Sequence, residues 1–263
     1  MKRVLLLLFF CPLFAMAQTI PDYSAFSYEV FSHNGDSLRY RMLLPEGYDA
    51  HKAYPLIMFL HGSGERGADN AAQLVHGGKL FLKDSVRKGF PAIVIFPQCP
   101  ADSMWSTMIV KRDASGKAID RSFSDATDKQ ATPGALVMML TDSLVKAGKA
   151  DSKRLYLGGL SLGAIGTFDI LARYPDTWAA AFPICGVGNV DNAAKFSKVP
   201  MWIFHGAADN VVLPAGSRNY YEALKKLKAD VKYTEYPGVG HNSWDNAFAE
   251  PQLLPWLFSH KKK

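Results

Sequence analysis

The stretch Leu157-Gly158-Gly159-Leu160-Ser161-Leu162-Gly163-Ala164-Ile165-Gly166 constrains this chain more than any other. A short apolar run, Arg154-Leu155-Tyr156-Leu157, precedes it. A helical pattern through Thr167, Phe168, Ile170 and Leu171 follows, and Pro175 stops it. Gly159-Leu160-Ser161-Leu162-Gly163 therefore fits G-x-S-x-G between a predicted strand and a predicted helix, the context that motif requires. The serine must sit on a sharp, strained turn so that its hydroxyl projects beyond the sheet. A side chain two residues to either side would collide with a neighbouring element, and glycine removes that Cβ. Ser161 also falls at a helix N-terminus, where backbone N–H groups face incoming negative charge. The five-residue pattern alone occurs by chance in glycine-rich chains; the strand before it and the helix after it give it weight.

The same alternation runs through the chain. Residues 26–33 and 38–45 are β-rich and flank Asn34-Gly35, a hairpin signal. Pro55 to Leu60 and Ala92 to Phe96 are wholly apolar runs, the mark of strands buried on both faces. Residues 71–88 read as a helix ending at Gly89. A polar insertion covers 101–131, and Asp113-Ala114-Ser115-Gly116 inside it is placed to turn a small hairpin. Thr132-Pro133 opens a helix with Leu136, Leu140 and Leu144 on one face and Gly148 as terminator. Further strands are expected at 179–185, 200–204 and 231–236. Between the last two lies a helix carrying Tyr220, Leu224 and Leu227 on one face, and a short helix near 251–259 closes the chain. This predicts an α/β fold: a mostly parallel eight-stranded sheet with helices on both faces.

Ligands of such sheets bind beyond the carboxyl ends of the strands. His61-Gly62, Ser161, Asp209 and His241 all fall there. Serine needs an imidazole to take its proton and a carboxylate to orient that imidazole. Ser161, Asp209 and His241 stand in the order Ser, Asp, His expected of α/β-hydrolases. Asp209 has a second reading, as a turn residue before Asn210. Of the other histidines, His33, His51 and His260 are expected on surface or tail and His76 in a helix. His61 and His205 are expected to be buried and bonded to backbone. An oxyanion needs preorganised donors: the N–H of Leu162, and one from Ser63 or else Gly64. Glu65 and Arg66 are expected to pair and brace that loop. No H-E-x-x-H, His/Asp cluster or C-x-x-C points to a metal, and no cofactor is expected.

Composition sets the remaining bounds. At 263 residues, 48% hydrophobic and 21% charged, the chain suits one globular domain. Lys2-Arg3, the apolar run Val4 to Phe10, and Ala15-Met16-Ala17 read as a signal peptide over residues 1–17. Cleavage after Ala17 leaves a catalytic domain of 18–263, secreted or periplasmic. A membrane anchor would need about 20 apolar residues, and Pro12 interrupts the run. Of the net charge of +6, Lys2 and Arg3 supply +2 and Lys261 to Lys263 supply +3, leaving +1 for the body. No basic stripe points to nucleic acid. Cys99 and Cys185 follow strands three steps apart in the sheet order 1-2-4-3-5-6-7-8. At ~4.8 Å per step they lie roughly 14 Å apart, beyond the ~7 Å limit for a disulfide.

With these residues placed, the chain resembles α/β-hydrolases, and more narrowly the esterases of carbohydrate esterase family one. That group holds feruloyl esterases, acetyl-xylan esterases and polyhydroxybutyrate-depolymerase-like proteins. The resemblance rests on Phe59-Leu60-His61-Gly62-Ser63-Gly64-Glu65-Arg66-Gly67 and on Phe96-Pro97-Gln98-Cys99-Pro100 with Trp105 following. It rests equally on Gly159 to Gly163, His205-Gly206-Ala207-Ala208-Asp209 and Gly240-His241-Asn242-Ser243-Trp244. It implies a serine esterase acting on feruloyl or acetyl esters of plant cell-wall polysaccharide. A peptidase or another small-ester hydrolase of this fold, or an inactive hydrolase-fold binding module, are the alternatives. Trp105, Trp244 and Gln98 are expected around the substrate, although either tryptophan also reads as a loop anchor packed on the core.

Overall fold

The computed structural model describes residues 22–116, 118–123, 130 and 132–263. The expected signal peptide, and residues 117, 124–129 and 131 of the insertion, lie outside the described residues. Ten strands are present among the described residues: β1 (Ser27–His33), β2 (Asp36–Leu43), β3 (Tyr54–Leu60), β4 (Ile93–Gln98), β5 (Met108–Arg112), β6 (Ala118–Phe123), β7 (Ala150–Leu160), β8 (Ala180–Ile184), β9 (Met201–Gly206) and β10 (Val231–Tyr236). Seven helices accompany them: α1 (Gly78–Leu82), α2 (Asp84–Gly89), α3 (Thr132–Lys146), α4 (Leu162–Arg173), α5 (Ala215–Lys226), α6 (Trp244–Ala249) and α7 (Leu253–Ser259).

Eight strands form one sheet in the order β1-β2-β4-β3-β7-β8-β9-β10. Only β2 runs against its neighbours, so the sheet is mixed but mostly parallel. β1 and β2 turn through Asn34 and Gly35, both with positive φ (50° and 90°), as a two-residue hairpin demands. β5 and β6 pair in a separate two-stranded sheet, turning near Gly116 (φ 83°).

The side chains of β3 alternate between two cores. Leu56, Met58 and Leu60 join Leu136, Leu140, Phe168, Tyr220 and Leu224 from α3, α4 and α5. Ile57 and Phe59 face the other way, toward Phe81, Val86, Leu253 and Leu257 from α1, α2 and α7. A strand covered on both faces has no polar side to show, which is why its sequence reads as an unbroken apolar run. Cys99 and Cys185 are buried and unbridged, at the ends of β4 and β8, which are three strands apart.

Two expectations for the helices are corrected. Residues 71–88 do not form one helix. A 3₁₀ turn, Ala72–Leu74, is followed by α1 and α2. Gly77 takes φ 94°, and a Cβ there would stand 2.6 Å from the Phe248 ring; Lys83 is extended between the two helices. Leu227 does not share the buried face of Tyr220 and Leu224. It caps the C-terminus of α5, 46% exposed, where Lys228 turns the chain with φ 57°. The sequence reading also missed α6, whose six residues are too few to show a period.

The turn after β7 is the tightest junction described. Ser161 has φ 52° and ψ −115°, a costly conformation for a residue with a Cβ. A Cβ on Gly163 would lie 2.0 Å from Leu60 O, and one on Gly159 2.4 Å from Gly163 O. Gly163→Ala is therefore expected to lower stability in urea denaturation by at least about 1–3 kcal/mol, the usual range for overpacking. Gly89→Ala, helical with open space around it, should leave stability unchanged or raise it.

Candidate active site

Four strand ends build the site. β3 delivers His61 and Gly62, β7 delivers Ser161, β9 leads to Asp209 and β10 leads to His241. The strands are parallel, so all four loops open at one edge of the sheet. The Ser161 N–H donates to Ile184 O at 2.9 Å, which pins its turn to the neighbouring strand.

Ser161, His241 and Asp209 form one hydrogen-bonded chain. Ser161 Oγ lies 2.9 Å from His241 Nε2, and His241 Nδ1 lies 2.7 Å from Asp209 Oδ2. His241 and Ser161 are both half-buried. Asp209 is buried, yet each carboxylate oxygen has two donors. Oδ1 accepts from Val211 N (2.9 Å) and Val212 N (3.0 Å), and Oδ2 faces His205 Nε2 (3.1 Å) as well as His241. Burial pushes its carboxyl up, but the hydrogen bonds from His205, His241, Val211 and Val212 outweigh this, leaving it well below the usual carboxylate range. It is an anion throughout the neutral range.

The expected oxyanion donors lie at two helix starts. Leu162 is the first residue of α4; Ser63 and Gly64 open a 3₁₀ turn, Ser63–Glu65. N–H groups at such positions have no partner within their own helix. The 3₁₀ turn lies against the serine: a Cβ on Gly62 would be 3.6 Å from Ser161 Cβ. Its support is buried. His61 donates from Nδ1 to Gly62 O (2.6 Å) and accepts at Nε2 from Cys99 N (2.9 Å), and burial pulls its imidazole down to about 4. It is a neutral structural ring.

Three expectations about side chains near the site are corrected. Trp105 is fully buried. Its Nε1–H donates to His61 O (3.0 Å), its ring meets the His61 ring edge-on at 5.1 Å, and its Cβ is 2.4 Å from where a Gly166 Cβ would be. It has no free face for a ligand and acts as an anchor of the His61 loop. Gln98 is also buried, and both its N–H donors are used, to Glu65 O (3.1 Å) and Asp69 Oδ1 (2.8 Å), while its Oε1 accepts from Asn70 N (2.7 Å). It braces residues 65–70 and is not placed to bind substrate. Glu65 does not pair with Arg66. Its carboxylate faces His76 at 3.5 Å, whereas Arg66 donates to Ser63 O and Ser103 O, each at 3.1 Å.

Trp244 is different. It is half-buried at the start of α6, with its ring 5.4 Å from the His241 ring and 4.8 Å from His76. The sequence reading missed two contributors. His205 bonds not only backbone but Asp209 itself, and the signal was the four-residue spacing in His205-Gly206-Ala207-Ala208-Asp209. Cys185, buried with φ 46°, brings its sulfur within 4.8 Å of the facing atoms of Asp209 and His241. These three donors are the possible metal-ligating group among the described residues, but Asp209 and His241 already engage each other, and burial pushes the Cys185 thiol far up.

The family model described as Phospholipase/Carboxylesterase matches residues 48–252, so the chain belongs to that family. It is an α/β-hydrolase and a serine esterase. It is similar to a probable carboxylesterase of Oryza sativa subsp. japonica, 24% identical over 209 residues that cover 76% of this chain and 86% of that protein. Among solved structures it superposes on a thermostable esterase with TM-score 0.80 and 30% identity, over 91% of this chain and 64% of that one; it thus spans less than two thirds of that relative's length. It also superposes on a feruloyl esterase module of Clostridium thermocellum complexed with sinapinate, with TM-score 0.64 over 93% of this chain and 92% of that one. At 17% identity that likeness speaks for the fold alone.

Proposed function

We propose that the chain hydrolyses carboxylic esters through an acyl-enzyme on Ser161, with His241 as base and the Asp209 carboxylate orienting it. The observation that carries this is the unbroken chain Ser161 Oγ, His241 Nε2, His241 Nδ1, Asp209 Oδ2, with links of 2.9 and 2.7 Å. Ser161 Oγ attacks the ester carbonyl and His241 takes its proton. The N–H groups of Leu162 and Ser63, with Gly64 as second choice to Ser63, stabilise the oxyanion; one such donor is commonly worth about 10²–10³ in kcat. His241 then returns the proton to the departing alcohol, and water attacks the acyl-enzyme by the same route in reverse.

The substrate reading is feruloyl or acetyl esters of plant cell-wall polysaccharide, met outside the cell after cleavage behind Ala17. An aromatic ring, Trp244, standing beside the proposed base supports an aromatic acyl group.

Ser161→Ala should fold normally and lose p-nitrophenyl acetate turnover by several orders of magnitude. Asp209→Asn should lose about 10⁴ in kcat if it orients the base as triad acids do. Wild-type rates in either variant would refute the assignment.

The pH dependence is set by the site's charges. Asp209 stays ionised far into acid and His61 stays neutral down to about 4, so neither sets an acid limb in the neutral range. The kcat/KM profile should therefore rise with pH across the neutral range, because the base must be neutral to take the serine proton. A flat profile between about pH 5 and 8 would count against a histidine base.

The two tryptophans should behave differently. Trp244→Ala should lower kcat/KM several-fold for methyl ferulate and much less for p-nitrophenyl acetate, because an acetyl group has no ring to stack. Trp105→Ala should harm both substrates alike and cost about 3–5 kcal/mol of stability, as truncation of a buried tryptophan does. Equal losses for both substrates in Trp244→Ala would remove the case for aromatic acyl recognition at that ring.

A further inference from the structure

Asp209 serves two histidines. His205, near the end of β9, is fully buried. Its Nε2 lies 3.1 Å from Asp209 Oδ2, the same oxygen that His241 uses, and 2.8 Å from Val212 O. Both neighbours can only accept, so Nε2 carries a hydrogen. Its Nδ1 lies 2.8 Å from Ser217 Oγ, on α5, and that hydroxyl is 3.1 Å from Gly186 O.

The hydroxyl has one hydrogen and two places to send it. Directed at Nδ1, it makes His205 a neutral ring that donates one hydrogen bond to the acid. Directed at Gly186 O, it requires a second proton on the ring, and an imidazolium would then touch Asp209. A buried positive charge there would compete with the imidazolium that must form on His241 during turnover. The shorter contact is the one to Nδ1. The charged groups facing His205 are Asp209 from its own turn and Glu235, in register with it on β10. Glu235 is held by Arg218 of α5 through two hydrogen bonds, at 2.8 and 2.5 Å.

We infer that His205, kept neutral by the Ser217 hydroxyl, is a positioning residue for Asp209. It fixes Oδ2 toward His241 without setting a full positive charge against it. This rests on the proposed role of Asp209 as triad acid.

The test measures kcat, KM and the pH profile of p-nitrophenyl acetate hydrolysis in three variants of the enzyme, with melting curves for each. His205→Leu removes the donor and should lower kcat by about 10- to 100-fold, the worth of one hydrogen bond to a charged group. KM should stay within about twofold, because the lost interaction acts on the transition state. His205→Gln, a neutral side chain that keeps a donor, should recover most of that loss and leave the acid limb of kcat/KM where it is. Ser217→Ala should lower kcat several-fold at unchanged KM. A folded His205→Leu with wild-type kcat overturns the inference, and so does an acid limb displaced in His205→Gln, which would mean that the native ring is charged. If His205→Leu does not fold, Ser217→Ala decides: wild-type kcat in it overturns the inference. Full activity in Asp209→Asn would remove the acid assignment itself, whereas an inactive Asp209→Asn beside a fully active His205→Leu would remove only the role of His205.

Discussion

Gly163 meets the carbonyl of Leu60 with no room for even one carbon between them. That contact lets α4 start directly behind β7 and forces Ser161 into a backbone conformation that a side chain disfavours. The strain places the hydroxyl at the sheet edge, in reach of loops that arrive from three other strands. It is held because the turn is over-determined: the Ser161 N–H is bound to β8, its carbonyl accepts from Ile165, and α4 is buried on most of its surface. The architecture of the edge depends on this one close approach.

The electrostatics of the edge divide between two buried histidines. His61 and His205 both begin His-Gly turns at strand ends, and both lie out of solvent. His61 is tied on both nitrogens to backbone, and it holds the 3₁₀ turn against Ser161 without carrying charge. His205 is tied to a carboxylate. The same dipeptide thus serves a backbone turn in one loop and an anion in the other. The difference lies in the residues next in the chain, Ser63-Gly64 after the first and Ala207-Ala208-Asp209 after the second.

Much of this was legible in the chain. Apolar runs too short for helices gave the buried strands, because burial on both faces leaves no polar alternation. Ser161, Asp209 and His241 could be gathered on one edge because each comes after a strand end, and parallel strands share an edge. What was not legible depended on contacts between distant residues. Trp105 comes after a strand as the site residues do, but whether its ring points outward is decided by His61 O and by the space that Gly166 leaves. Gln98 looks like a free polar group until Asn70, Glu65 and Asp69 are folded around it. Gly77 reads as tolerable within a helix, and only the Phe248 ring, from far along the chain, shows why the helix breaks there.

The segment between β4 and α3 leaves and re-enters the core at nearly one point: a Cβ on Gly134 would stand 2.5 Å from Trp105 O. Its own strands, β5 and β6, pair with each other and with no strand of the main sheet. For a loop closed at its neck, the entropic cost of extra length grows only slowly, by about 0.6 kcal/mol per doubling. In mechanical terms the segment is a side loop fastened at its neck and at further points: Met108 packs against the core, and Gln130 Oε1 accepts from the Tyr174 hydroxyl at 2.7 Å.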